Sequence, residues 1–241
     1  MPARNRIKTY LSNGYYHLYN RGVEKRTIFM DHQDFATFLS YLKEYLTPKN
    51  ERGLIEIANN PSSSPKEKSE ALKLLRMNNL SESLDLLAYC LMPNHFHILV
   101  KQKTERAIEQ FVRSLGTRYV QYFNHRHENR VGSLFQDSYK AVLVDSEEQL
   151  LHLSRYIHRN PYQKGLSLKD CPQPSSYLNY LGKINQEWVK PQEVLGYFAT
   201  SGINSYEFFV EDPKLEEYSI TTIQKLAIDL KKGSSFKECP L

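Results

Sequence analysis

Four side chains in this sequence have the types and spacings for chemistry on a phosphodiester. His95 and His97 flank Phe96 in the run HFHILVK. Successive side chains of an extended strand alternate faces, so both imidazoles leave one side and Phe96, Ile98 and Val100 the other. Two imidazoles at neighbouring same-side positions can share one divalent ion at about 2.0–2.2 Å each. Histidine pairs on strands are also satisfied by hydrogen bonds alone, and the pair by itself leaves both readings open. A rival pair, His125 and His127, flanks Arg126 in a polar stretch. A cation between two ligands points there to phosphate contact or solvation rather than to a metal.

Tyr156 and Asn160 are four residues apart, so on a helix they share a face. A phenol titrates near pH ~10 and is a weak nucleophile at neutrality. An ion held by histidines would draw charge off a phosphodiester, and an amide on the tyrosine's own helix would complete the ion's shell. Against this stands a plain reading of each residue. The chain has 17 tyrosines, many of which must be core, and Asn160 before Pro161 suits a helix end.

The elements that must position these residues follow from the hydrophobic periodicity. Gly14–Asn20 reads as a strand, and Asp31 or Asp34 caps a helix carrying Phe35, Phe38, Leu39, Leu42 and Leu46 up to Pro48. A polar excursion over about 48–83 follows, with one short amphipathic piece around Ala71–Met77. Leu84–Leu91 and His95–Lys101 form a hairpin about Met92-Pro93-Asn94. Thr104 caps a long helix bearing Ile108, Phe111, Val112, Leu115, Val120 and Phe123. A basic loop, a strand over roughly Ser133–Val144 and a helix opened by Asp145 or Ser146 complete the order β-α-β-β-α-β. This predicts an α+β, ferredoxin-like antiparallel sheet with helices on one face and the other face open. The domain reading is 1–166 for this unit and 167–241 for a C-terminal helical extension, with an amphipathic helix at Thr221–Leu230.

Composition sets the class. Hydrophobic residues at 40% and charged residues at 24% suit a globular protein able to bury a core. A net charge of +5 favours a polyanionic partner. The charge is uneven: Arg4, Arg6, Lys8, Arg21, Lys25 and Arg26 oppose only Glu24 in the first thirty residues, whereas Glu211, Asp212, Glu216 and Glu217 cluster late. The nucleic-acid face is therefore expected in the first two-thirds. Cys90, Cys171 and Cys239 have no metal or disulfide spacing, and no apolar leader or long apolar run is present. These features predict a soluble, cytoplasmic protein.

Several separated motifs, in order, resemble the HUH-type single-tyrosine transposases, most closely the REP-associated tyrosine transposases. They are YHLYNRG at 16–22, AYCLMPNHFHIL at 88–99, GSLFQ at 132–136 and RYIHRNP at 155–161, with a weaker likeness at Ser175-Ser176-Tyr177. The resemblance implies His95 and His97 as metal ligands and Tyr156 as nucleophile. Asn160 would be the third ligand, where many relatives carry glutamine. It further implies single-stranded, hairpin-associated DNA as substrate. Imidazole and amide ligands permit Mn2+ and cellular abundance favours Mg2+, so either is expected as cofactor. Nicking would leave a 5′-phosphotyrosine and a free 3′-OH that can rejoin. DNA-binding candidates are Arg21, Lys25, Arg26, Arg118, Arg126, Arg130, Lys140 and Arg159, with Tyr16 and Tyr19 as stacking surfaces. His17, on the strand beside the histidine pair, is a further candidate for contacting DNA or the metal shell. The rival readings are a non-catalytic ferredoxin-like nucleic-acid-binding module and a metal phosphodiesterase that uses water. A short linker after Pro161 and an extension able to cover a sheet edge predict a monomer.

Overall fold

The computed structural model describes residues 10–128, 132–162 and 166–226. Strands β1 (Tyr15–Arg21), β2 (Leu84–Met92), β3 (His95–Gln102) and β4 (Lys140–Val144) form one sheet in the order β2-β3-β1-β4, every neighbouring pair antiparallel. This is the ferredoxin-like order expected of β-α-β-β-α-β. On one face Tyr16, Leu18, Phe96, Ile98 and Val100 meet α1 (His32–Leu46) and α4 (Ala107–Arg126) through Phe38, Leu42, Phe111, Leu115 and Tyr119. Asp31 caps α1 by accepting from the amides of Gln33 and Asp34, which satisfies donors that the helix leaves over.

Three expectations need correcting here. Thr104 does not cap α4: Arg106 occupies that position with a φ of 65°, and buried Gln102 at the end of β3 accepts from Ile108 N at 3.0 Å instead. The excursion holds two helices, α2 (Glu51–Asn59) and α3 (Pro65–Arg76), the polar run between them being their turn. Ser64 and Glu67 form a capping box and Pro65 opens α3, so local chemistry alone starts that helix. The fourth strand pairs only over Lys140–Val144. Residues 134–136 instead cross the end of β1, where Val23 N donates to Leu134 O and Gln136 N to Arg21 O.

The second face of the sheet is not open. Helix α5 (Glu147–Arg159) lays Leu150, Leu153, Tyr156 and Ile157 on Leu87, Ala88, Cys90, Met92 and Leu99. Around it the extension adds α6 (Tyr177–Tyr180), α7 (Gln192–Leu195), α8 (Tyr206–Glu211) and α9 (Glu216–Thr222), which complete a second core with Tyr177, Tyr180, Val194, Tyr206, Val210, Ile223 and Leu226. Of the helix expected at Thr221–Leu230 only Thr221 and Thr222 are helical, as the end of α9; residues 223–226 form turns, and the remainder lies outside the described residues. The same extension covers the free edge of β2. Leu91 N donates to Pro174 O, Ser176 N to Tyr89 O and Lys190 N to Leu86 O, at 2.7–3.0 Å. No described helix is long and apolar enough to cross a membrane.

Candidate active site

Cross-strand partners in a sheet point to the same side. Tyr19 lies opposite His97, and Arg21 opposite His95, on β1; Lys140 of β4 lies opposite Tyr19; Cys90 and Met92 of β2 lie opposite His97 and His95. One face therefore carries His17, Tyr19, Arg21, His95, His97 and Lys140, and it is the face that α5 covers. Tyr156 presents its ring to the edge of His97, centroids 5.4 Å apart and planes at 81°. Asn160, the C-cap of α5, brings Oδ1 to 3.2 Å from His95 Nε2. All four residues singled out for chemistry thus meet within one chain.

The hydrogen bonds fix where the imidazole lone pairs point. Asn94 donates from Nδ2 to Lys25 O, which turns its Oδ1 toward His95 Nδ1 at 2.6 Å. His95 Nδ1 is then the donor, so in the neutral ring Nε2 carries a lone pair. Its approach to Asn160 Oδ1, itself an acceptor, brings two lone pairs together rather than making a hydrogen bond. On the other ring, His17 Nε2 is 2.9 Å from His97 Nδ1, and His97 Nε2 is buried without a hydrogen-bond partner. Burial, then the nearby charges of His95, His17 and Arg21, hold the His97 pKa well below the usual histidine range. A neutral ring with an unsatisfied buried nitrogen is what a metal ligand needs before the ion arrives. Ligand atoms held at about 2.1 Å on one ion, at near right angles, are about 3.0 Å apart. The 3.2 Å between His95 Nε2 and Asn160 Oδ1 is of that size. The donor set of two imidazoles and an amide oxygen fits a divalent ion. Among the described residues no group of three or more His, Cys, Asp or Glu is arranged to hold one, so a metal here depends on that amide.

The basic candidates divide sharply. Lys25 and Lys140 are exposed, Arg21 and Arg26 half-buried, and Arg21 and Lys140 share the histidine face. Arg118 is engaged inside the protein, paired with Glu44 at 2.6 Å and stacked 3.7 Å over Tyr41. Arg126 grips Asp31 and buried Asp34. Arg159 is 5% exposed and bonds Val210 O and Glu216. Tyr16 belongs to the first core, its hydroxyl accepting from Leu11 N, and does not offer a stacking surface. Tyr19, at 8% exposed, lies over the rings of His17 and His97 rather than on the surface. His17 is fully buried and faces protein on both nitrogens, so it does not meet DNA directly. Arg130 lies outside the described residues. Of the rival histidines, His127 bonds Asp34 at 3.0 Å and His125 is exposed at the end of α4.

Sequence reasoning missed what the remaining polar residues of RYIHRNP do. Arg155, 1% exposed, donates to Phe209 O, Asp212 O and Ser219 Oγ. His158 is buried between Tyr206 Oη and Ser176 Oγ, 2.7 Å from each, and burial pushes its pKa down to about 3. These side chains lock the tyrosine helix to the extension. The continuous apolar run of β2 was the available signal, because a strand buried on both faces loses the alternation of a half-exposed one. A cleft of about 910 Å³ between Thr47, Asn179, Lys183 and Gln192 contains none of the site residues.

Residues 62–160 match the family model of the IS200-like transposases. That span takes in His95, His97, Tyr156 and Asn160 and leaves out β1 with His17 and the extension. Among solved structures, a REP-associated tyrosine transposase bound to a REP hairpin is similar at 11% identity, with a TM-score of 0.45 over 79% of this chain and 98% of that one. No curated protein matches the chain.

Proposed function

Starting from a chain whose residues 62–160 match the IS200-like transposases, we propose that it nicks and rejoins single-stranded DNA with Tyr156 as nucleophile. The observation that carries the reading is the meeting of Tyr156 and Asn160 on one helix with His95 and His97 on one strand. A family match alone does not require that these side chains converge; their contacts supply that support.

His95 Nε2, His97 Nε2 and Asn160 Oδ1 would hold Mg2+ or Mn2+, and a bound ion there supplies charge withdrawal from the scissile phosphate. Tyr156 attacks phosphorus with its phenolic oxygen. The P–O3′ bond breaks, the leaving oxygen takes up a proton as the phenol gives one up, and a 5′-phosphotyrosine and a 3′-hydroxyl result. Attack by a 3′-hydroxyl reverses the step and joins strands without a nucleotide cofactor. The ring of Tyr156 is only 3% exposed, so the phosphate has to enter from the half-buried rim formed by His95, Asn160 and Arg21. Lys25, Arg26 and Lys140, with Arg21, would bind the backbone. A duplex is too stiff to bring its phosphate to that rim, and the substrate we propose is a single strand beside a hairpin foot.

The reading also holds that one chain suffices. Tyr156 meets its own chain's His97, α5 is bonded to its own extension, and the edge of β2 is covered. The test is a cleavage assay on a labelled single strand flanking a hairpin, against the matching duplex, with Mn2+ or Mg2+ and with excess chelator. Metal-dependent cleavage of the single strand is expected. Equal cleavage of both forms, or full activity in chelator, would contradict the proposal.

A further inference from the structure

The sheet face carries a third histidine that the nicking chemistry leaves without a task. His17 is wholly buried, and its ring stacks on that of His97, centroids 5.0 Å apart and planes at 20°. Its Nδ1 is 2.6 Å from the carbonyl oxygen of Leu226, and its Nε2 is 2.9 Å from His97 Nδ1. A carbonyl can only accept, so His17 Nδ1 donates. In the neutral ring Nε2 then has to accept, and His97 Nδ1 has to be the donor. The proton of His97 is thereby placed on Nδ1. Its Nε2, buried and without a hydrogen-bond partner, keeps a lone pair.

We infer that His17 is a positioning residue: oriented by the Leu226 carbonyl, it holds the His97 proton on Nδ1 and so keeps His97 Nε2 open as a metal ligand. The inference rests on the metal-dependent reading above and extends it to two segments outside the family match, β1 and the C-terminal extension. A ligand histidine whose second nitrogen is not held spends part of its time as the wrong tautomer, which has to be reversed before an ion binds. Removing such an outer partner typically weakens metal affinity about 10- to 100-fold. The arrangement also gives the extension a role at the site. Ile223 and Leu226 pack into the second core, and that packing sets the carbonyl at which the relay begins.

The test reads the tautomer directly, in the full-length, metal-free protein. Long-range proton–nitrogen NMR correlations on 15N-histidine-labelled protein report which ring nitrogen bears the proton, with His97 assigned by its loss in His97→Gln. The expected state of His97 is Nδ1-protonated with a bare Nε2. Mn2+ titration then compares the parent with His17→Phe, which fills the space without an acceptor, and with His17→Gln, whose amide oxygen can still accept. His17→Phe is expected to shift His97 toward the Nε2-protonated form and to raise the Mn2+ Kd about 10- to 100-fold, while His17→Gln stays close to the parent. An Nε2-protonated His97 in the parent, or parental Mn2+ affinity in His17→Phe, would overturn the inference. If His17→Phe does not fold, the parent's tautomer still decides. A parent that binds no Mn2+ but shows the Nδ1-protonated ring would sink the metal reading and leave the relay standing.

Discussion

Lowering the pH from 7.5 to 5.5 should loosen this fold through the histidine that ties the tyrosine helix to the extension. His158 is enclosed by Tyr177, Tyr180, Tyr206 and Ser176, and burial alone pushes its pKa down to about 3. In the unfolded chain a histidine titrates near ~6.5. The folded state resists a proton that the unfolded state accepts, so between these values the unfolded state binds more protons and stability rises with pH. The contribution is complete at pH 7.5 and is lost as the pH falls below about 6.5. At pH 5.5, about one unit below the unfolded value, His158 alone costs about 1.4 kcal/mol. His97 and His152, whose pKa values burial also lowers, add to it with the same sign. Carboxylates titrate near ~4 in unfolded chains and take little part in this step. Urea unfolding followed by circular dichroism at pH 7.5, 6.5 and 5.5 measures the loss, and a metal-free buffer keeps ion binding out of it. A midpoint that does not move across that range would refute the burial argument for His158. A midpoint that rises on acidification would reverse its sign.

Other perturbations separate the roles assigned above. Arg155→Leu removes three hydrogen bonds from a buried guanidinium and should cost about 3 kcal/mol or more in the same unfolding assay, since bonds to charged groups contribute about 1.5–3 kcal/mol each. His95→Ala and His97→Ala should each abolish Mn2+ binding in calorimetry, whereas His125→Ala and His127→Ala should leave it unchanged; loss of metal from the second pair alone would reverse the choice. Lys25→Ala and Lys140→Ala should each lower the salt slope of single-strand binding by about 0.7, as expected for one phosphate contact, while Arg159→Ala should act on stability instead. Mixing Tyr156→Phe chains with His95→Ala, His97→Ala chains should leave cleavage lost, and recovered cleavage would show a site shared between two chains.

The sheet and its order were legible because β1, β3 and the two long helices carry clean periodicities and the turn at Met92-Pro93-Asn94 joins neighbouring strands. That His95 shares a strand face with His97, and Tyr156 a helix face with Asn160, was legible for the same reason, since alternation and helical spacing fix faces without tertiary information. That the two pairs belong to one site was implied by the resemblance. What covers the second face was not. Arg159 read as a DNA contact and Arg155 and His158 were assigned no role, because a buried guanidinium or imidazole is recognised only by partners that lie, in sequence, 18 to 64 residues away, such as Ser176, Tyr206 and Ser219. Arg118 and Arg126 were misread in the same way, their acidic partners lying on α1 and at its start. Tyr19 was misplaced because the face it shares with His17 was taken as open, whereas Tyr16 lies on the alternate face and packs under the helices with Ile98 and Val100. The relay through His17 was half visible: the strand order put β1 beside β3, but the carbonyl that directs His17 belongs to a segment more than two hundred residues away.

The most direct test of the central claim is to trap the covalent intermediate and locate it. The parent protein is incubated with Mn2+ and a single strand carrying a hairpin foot, digested with protease and nuclease, and mapped by mass spectrometry, with Tyr156→Phe alongside. A nucleotide joined through its 5′-phosphate to the peptide containing Tyr156, absent from Tyr156→Phe and absent in chelator, is the predicted result. Cleavage with no adduct, or an adduct on another residue that persists in Tyr156→Phe, would contradict the account.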